Sequence, residues 1–171
     1  MNVVLVGNGT SVLDKKLGNL IDSFDFVVRF NDFKITGFEE YVGKKIDCWF
    51  TCGDYHIRKM KNFKRVILHT WEYEDNFLVE KFSQSGEFEL TKKKHVDNIP
   101  VACNFPSTGL IAIHTFIREF GYVSIVGFDW WEREEHHYGD SIHTRGDRHK
   151  PLQEYEVIKK LESVGKLEFV T

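Results

Sequence analysis

The chain has 171 residues, enough for one domain with a sizeable core, and its 42% apolar and 29% charged residues are ordinary for a globular protein. Its formal net charge of −3 argues against a general binder of phosphate backbones, which is normally basic. No apolar run approaches the ~20 residues that span a bilayer, and the opening MNVVLVGNG has neither the basic start nor the length of a signal peptide.

In chain order, the apolar run Val3 to Val6 ends at once in Gly7-Asn8-Gly9-Thr10, as the first strand of an open α/β sheet meets its turn. Leu13 to Ile21 predicts a helix. DFVVRF (25–30), IDCWFT (46–51) and RVILHT (65–70) predict the second, third and fourth strands. The third strand carries Cys48, and Cys52 follows it. With Cys103 the cysteines are odd in number and sparse, which fits a reducing, cytoplasmic setting with inert thiols better than a disulfide framework. Residues 72–100 are charged and weakly periodic, which predicts a helix and a mobile excursion. STGLIAIHTFIREF (107–120) has helical spacing at Leu110, Ile111, His114, Ile117 and Phe120, with Ser107 as N-cap and Gly121 as stop. A strand follows at 122–126. Pro151 opens another helix, whose apolar face is Leu152, Tyr155, Ile158 and Leu161; Gly165 closes it and Leu167 to Val170 is a last strand. Strands alternating with helices mean a single domain over 1–171 with a mostly parallel sheet and a ligand site at the carboxyl ends of its strands.

Four stretches carry chemistry. VGNGTSVL can bring a ligand close to backbone amides, but Val12 stands in the third glycine slot of G-x-G-x-x-G and no P-loop lysine follows. Gly7, Asn8 and Gly9 are thus equally a ligand loop or a tight turn. In VVRFND, Asn31 offers one acceptor and two donors on a short arm, suited to a base edge or a ribose hydroxyl. Arg29 beside it would support such a site, and the plainer reading is a turn asparagine with a surface arginine. In FPSTG, Ser107, Thr108 and Gly109 combine hydroxyls with helix-terminal amides, an anion site or a simple cap. Finally, HHYGDSIHTRGDRHK (136–150) holds His136, His137, His143 and His149, half of the histidines in the chain, with Asp140 and Asp147 among them. Its spacing matches no helical zinc template, and proton transfer is the more economical use. A polar loop is the plain alternative.

These stretches occur in the order of a known set. VVLVGNG, LIDSFDFVVRFND and GFEEYVGKKID resemble the large motif of the eukaryotic-type sialyltransferases, glycosyltransferase family 29. PSTGLIAIHTFIREFGYVSIVGFD resembles their small motif, HHYGD their third, and HKPLQE their very short H-x4-E motif. The resemblance covers most of residues 3–165. It implies a GT-A-like variant of a Rossmann-like α/β/α sandwich that binds CMP-sialic acid and transfers the sugar to a glycan hydroxyl with inversion, without metal or other cofactor. Carried over, Gly7, Asn8, Gly9 and Asn31 would bind the cytidine nucleotide. Ser107, Thr108 and Gly109 would hold the nucleotide or the donor carboxylate. His137, preferred to His136 because Tyr138 follows it, would meet the leaving phosphate, and His149 would be the general base. Tyr138 and Glu154 would support the site. Trp130, Trp131 and Trp71 are candidates to stack on sugar faces, with core packing as the alternative. The partners implied are a nucleotide-sugar donor and a glycan acceptor, with no nucleic acid.

The chain also departs from the family. It lacks the cysteine that usually opens the large motif, and has Gly139 where the third motif usually has an aromatic. It is short and carries no membrane stem, which suggests a bacterial or viral member, cytoplasmic or peripheral to a membrane. Three rivals stay open: a CMP-Kdo-dependent transferase of the same mechanism, a non-catalytic cytidine-nucleotide-binding module, and a histidine-rich metal hydrolase.

Overall fold

The computed structural model describes residues 1–70, 77–100, 105–130, 137–139 and 149–171. Among these, seven strands form one sheet: β1 (Val3–Val6), β2 (Phe26–Phe30), β3 (Cys48–Thr51), β4 (Arg65–Leu68), β5 (Glu89–Leu90), β6 (Val123–Val126) and β7 (Leu167–Phe169). Their order is β5-β4-β3-β2-β1-β6-β7, and every neighbouring pair is parallel. β1, β3 and β6 are buried along their whole length, which is why they read as near-continuous apolar runs, interrupted only by Thr51 and Ser124, rather than alternating ones.

Successive side chains of each strand feed opposite faces. On one face Val3, Leu5, Val28, Phe30, Cys48, Phe50 and Ile67 pack against Leu110, Ile111 and Phe116 of α5 (Thr108–Phe120) and Ile158 of α6 (Pro151–Ser163), with Val96 of a short helix (Lys93–Val96) beside them. On the other face Val4, Val6 and Val27 lie under Ile21 of α1 (Gly18–Ser23) and Val42 of α2 (Glu39–Val42). Trp49, Val66 and Leu68 continue that face under Phe82 of α3 (Phe77–Ser85). The result is the three-layer α/β/α sandwich expected, with the short helix over 93–96 as α4.

Three differences from the sequence reading have physical causes. The helix expected at Leu13 to Ile21 is a 3-10 turn (Thr10–Asp14), a break, and then α1. Lys15 is extended, and α1 starts at Gly18, where a Cβ would lie 2.1 Å from the Glu39 carbonyl oxygen. Close packing of α1 on α2, not the apolar spacing, therefore sets the start of the helix. The excursion over 72–100 contains an unexpected edge strand, β5, of two exposed residues. Arg65 of β4 holds it by a two-point ion pair to Glu89 (2.7 and 2.8 Å) and pairs equally with Glu119 of α5. The third difference, at Arg29, belongs to the site below.

The strand order positions the site. From β1 the chain adds β2 to β5 outward on one side, then returns to place β6 and β7 on the other. The direction of winding reverses between β1 and β6, and ligands of open α/β sheets bind outside the carboxyl ends at such a point.

Candidate active site

The turn after β1 is zipped onto the end of β6. Gly7 N donates to Val126 O (2.8 Å) and Gly9 N to Gly127 O (2.9 Å). A Cβ on Gly7 would lie 2.2 Å from Gly127 O, so backbone meets backbone there and glycine is a packing requirement. The anion that this turn receives is the chain's own. Asp129 accepts from Ser11 N (3.0 Å), from the Ser11 hydroxyl and from Thr10 Oγ1 (3.4 Å), and its carboxylate lies against Gly9. Sequence reading missed Asp129; its only signal was an acid just beyond the strand that lies beside β1. Asn8 stands between the two glycines. Its Nδ2 donates to Phe30 O (3.2 Å), while its Oδ1 is buried with no partner among the described residues.

Asn31 ends β2 in a left-handed bend (φ 43°) that asparagine tolerates. Its Oδ1 accepts from Cys52 N (3.0 Å) at the end of β3 and its carbonyl from Trp49 Nε1 (2.9 Å). The Nδ2 donors make no bond among the described residues. Arg29 corrects the expectation of a surface or ligand-side cation. It is fully buried on the α2 face, donating from Nε to Lys45 O (3.0 Å) and from Nη2 to Val42 O (2.6 Å). The bend at Asn31 sends the two side chains to different partners, and Arg29 supports α2 rather than a ligand.

The first turn of α5 meets the first turn of α6. Ser107 caps α5, its Oγ accepting from Leu110 N (3.2 Å). The Glu154 carboxylate, itself 2% exposed, takes Ser107 N (2.7 Å) and the Ser107 hydroxyl (2.5 Å). Burial pushes the Glu154 carboxyl above its ordinary range, while both Ser107 bonds and nearby His149 pull it back. With Leu110 N and Ile111 N satisfied by Ser107, the amides of Thr108 and Gly109 are left at the positive end of a 13-residue helix. Gly109 also sits tight against Phe128, whose ring carbon would be 2.8 Å from an added Cβ.

His149 lies just before α6, and its Nδ1 is 2.7 Å from the Phe105 carbonyl oxygen. A carbonyl only accepts, so Nδ1 carries a proton and Nε2 is the nitrogen at which a second proton can be gained or lost. The bond joins the approach to α6 to the approach to α5, parallel to the Glu154–Ser107 contact. His137 is half-buried, and Tyr138 N donates to Asn8 O (3.0 Å), which holds this segment beside the glycine turn.

Tyr138 is an anchor rather than an acceptor wall. Its ring is buried against Phe38 (5.1 Å between centroids), its hydroxyl donates to Lys34 O (2.8 Å), and burial pushes it up to about 12. Gly139 is left-handed (φ 79°) and tight against Lys34 and Phe38, which accounts for glycine at that position. Trp130 packs on Phe128 and Tyr155 (5.8 Å each), so its ring is committed to the protein, although its buried Nε1 has no partner among the described residues. Trp71, Cys103, Trp131, His136, Asp140, His143 and Asp147 lie outside the described residues.

Fold and site together define a class: a three-layer α/β protein with polar side chains gathered at the carboxyl ends of β1, β2 and β6. The chain belongs to glycosyltransferase family 29 (sialyltransferase), whose model matches residues 2–101, more than half of the chain. It is 36% identical over 65 residues, 38% of its length, to the human CMP-N-acetylneuraminate-beta-1,4-galactoside alpha-2,3-sialyltransferase. A type 2 lactosamine alpha-2,3-sialyltransferase of Rattus norvegicus is 48% identical over 42 residues, a quarter of the chain. These matches span 17% and 13% of the two relatives. A mammalian sialyltransferase crystal structure superposes over 99% of this chain and 68% of its own, with a TM-score of 0.81 at 20% identity. A variant of the sialyltransferase CST-II in complex with CMP covers 98% of this chain and 79% of its own, with a TM-score of 0.66 at 15% identity. The family match ends before α5 begins, so beyond residue 101 the likeness to these structures is one of fold.

Proposed function

We propose that this chain transfers sialic acid from CMP-sialic acid to a hydroxyl of a galactoside-bearing glycan, with inversion and without a metal. The observation that carries it is the orientation of His149. With Nδ1 donating to the Phe105 carbonyl, Nε2 is the ring nitrogen that would take a proton, at the junction of two helix N-termini. Asn8 Oδ1 and Asn31 Nδ2 offer an acceptor and donors for the cytidine nucleotide. The Thr108 and Gly109 amides meet the donor's negative charge.

In the step itself the acceptor oxygen bonds to the anomeric carbon of the sugar. The bond from that carbon to the CMP phosphate oxygen breaks on the opposite face, and the hydroxyl proton passes to His149. His137, held next to Asn8 by Tyr138, donates to the departing phosphate, so charge that develops in the transition state meets a donor in place. Glu154 does no proton transfer here: it fixes Ser107, and with it the start of α5. Metal independence follows from this division of labour, since side chains and amides meet the phosphate charge. We place the protein in the cytoplasm or peripheral to a membrane. Cys48 and Cys52 are both free, and burial pushes the Cys48 thiol up, away from reactivity. No helix among the described residues is long and apolar enough to cross a membrane.

The deciding experiment incubates the protein with CMP-Neu5Ac and with CMP-Kdo, with and without galactosides, and follows CMP release. Acceptor-dependent release from CMP-Neu5Ac is expected. Release from CMP-Kdo alone would move the donor to that sugar. CMP binding without release from either would reduce the chain to a nucleotide-binding module.

A further inference from the structure

We propose that Trp130 is a positioning residue for the transfer step: wedged between Phe128 and Tyr155, it sets where α6 places His149 relative to the first turn of α5. This role rests on the function just proposed and deepens it. His149 is separated from α6 only by Lys150, and Lys150 is joined to the helix, since Glu154 N donates to its carbonyl (3.0 Å). His149 therefore goes where the start of α6 goes. Two neighbouring residues of α6 seat that start. Glu154 reaches Ser107, at the cap of α5. A contact to one residue fixes a distance but leaves the helix free to swing about it. Tyr155 removes that freedom by resting on the Trp130 ring (5.8 Å between centroids, planes at 37°).

Trp130 is in turn held from the donor side. It stacks on Phe128 (5.8 Å, 25°), whose ring lies edge-on to Phe30 (5.7 Å, 79°) and leaves no room for a Cβ at Gly109. Immediately before it, Asp129 is tied to Ser11 in the β1 turn. One indole thus links the glycine turn and the α5 amides to the helix that follows the base. Trp130 also carries two local costs that filling space does not require. Its φ of 49° is a left-handed conformation that bulky residues rarely adopt, and its Nε1–H is buried without a partner among the described residues. An apolar ring would avoid the second cost, and glycine would remove the first. What tryptophan supplies is a plate wide enough to reach Phe128 and Tyr155 together. Backbone strain of this kind persists where the surrounding structure over-determines it, and it clusters where geometry serves function.

The test compares the unsubstituted chain with Trp130→Leu, Trp130→Phe, Tyr155→Leu and the double variant Trp130→Leu with Tyr155→Leu. Acceptor-dependent CMP release gives kcat and KM, equilibrium binding gives CMP affinity, and ring-nitrogen NMR reports on His149, all below each variant's thermal midpoint. Trp130→Leu should lower kcat about ten- to hundredfold, the effect of misplacing a reacting group by about 1 Å, with CMP affinity unchanged. Trp130→Phe should recover most of that loss. Tyr155→Leu should lower kcat to a similar extent, and the double variant no further than the worse single, because the two act through one contact. The His149 ring signals should shift in Trp130→Leu and in Tyr155→Leu. A folded Trp130→Leu with kcat and His149 signals unchanged would overturn the proposal, even if its thermal midpoint fell. So would additive losses in the double variant, or a loss in CMP affinity instead of kcat. Should Trp130→Leu fail to fold, Tyr155→Leu decides: unchanged kcat and His149 signals there overturn the assignment. If the unsubstituted chain releases no CMP with any galactoside, the transferase reading falls, and the His149 signals still decide the positioning by themselves.

Discussion

His149 shows how little of a residue's role is its identity. A histidine in a polar stretch is an ordinary surface residue; one whose Nδ1 is committed to the Phe105 carbonyl has a fixed ring orientation. His149→Ala should therefore lower transfer by about 10²- to 10⁴-fold, as loss of a general base does, with CMP affinity unchanged. Full transfer activity in that variant would remove His149 from the mechanism. Glu154 makes the contrasting case. Its carboxylate is buried and bonded by Ser107 on both oxygens, so Glu154→Ala strands a backbone N–H and a hydroxyl between two helices. Urea unfolding should register a loss of about 1–3 kcal/mol, the cost of an unsatisfied buried polar group. An unchanged midpoint would mean that Ser107 is satisfied in another way.

At the scale of elements, the contact between the β1 turn and the end of β6 is the tightest joint near the site. Gly7→Ala would drive a methyl into the Gly127 carbonyl, which cannot yield without shifting β6. Thermal unfolding should show a loss of at least about 1–3 kcal/mol, typical of overpacking. The outer strands answer to pH. His69, 1% exposed at the end of β4, lies 2.8 Å from Thr91 Oγ1 just beyond β5, and burial lowers its pKa to about 4. An unfolded histidine titrates near 6.5, so on acidification the unfolded chain takes up the proton first. The stability that neutral His69 contributes is thus complete above about pH 6.5 and is lost as pH falls toward 4. The loss is on the order of 3 kcal/mol. His56 and His114, also lowered by burial, act in the same direction. Denaturation midpoints between pH 7 and 4.5 should fall in the native chain and fall less in His69→Gln; parallel curves would exclude His69 as the cause.

At the scale of the whole molecule, one architectural fact organises the site: the chain reverses its winding between β1 and β6, the point at which open α/β sheets bind ligands. In the proposed mechanism amides and side chains alone meet the donor's charge, so transfer should persist undiminished in EDTA, assayed by CMP release. Loss of activity restored by a divalent cation would overturn the metal-free mechanism.

The sequence by itself determined the layers, the parallel strands and both long helices. Strands buried on two faces must be continuous apolar runs, and a serine cap, a proline start and glycine stops are local chemistry. Motif order also disclosed the family, and it named Asn8, Asn31, Ser107, His137 and His149 as candidates for its site. Only the tertiary structure decided the rest. It gave the glycine turn's anion-binding capacity to Asp129, buried Arg29 under α2, committed Trp130 and Tyr138 to packing, broke the expected first helix at Gly18, and added β5 through Arg65. Each of these depends on a partner far away along the chain. A single residue's local pattern encodes its backbone preference and its polarity, but not which distant carbonyl, carboxylate or ring folding will bring against it.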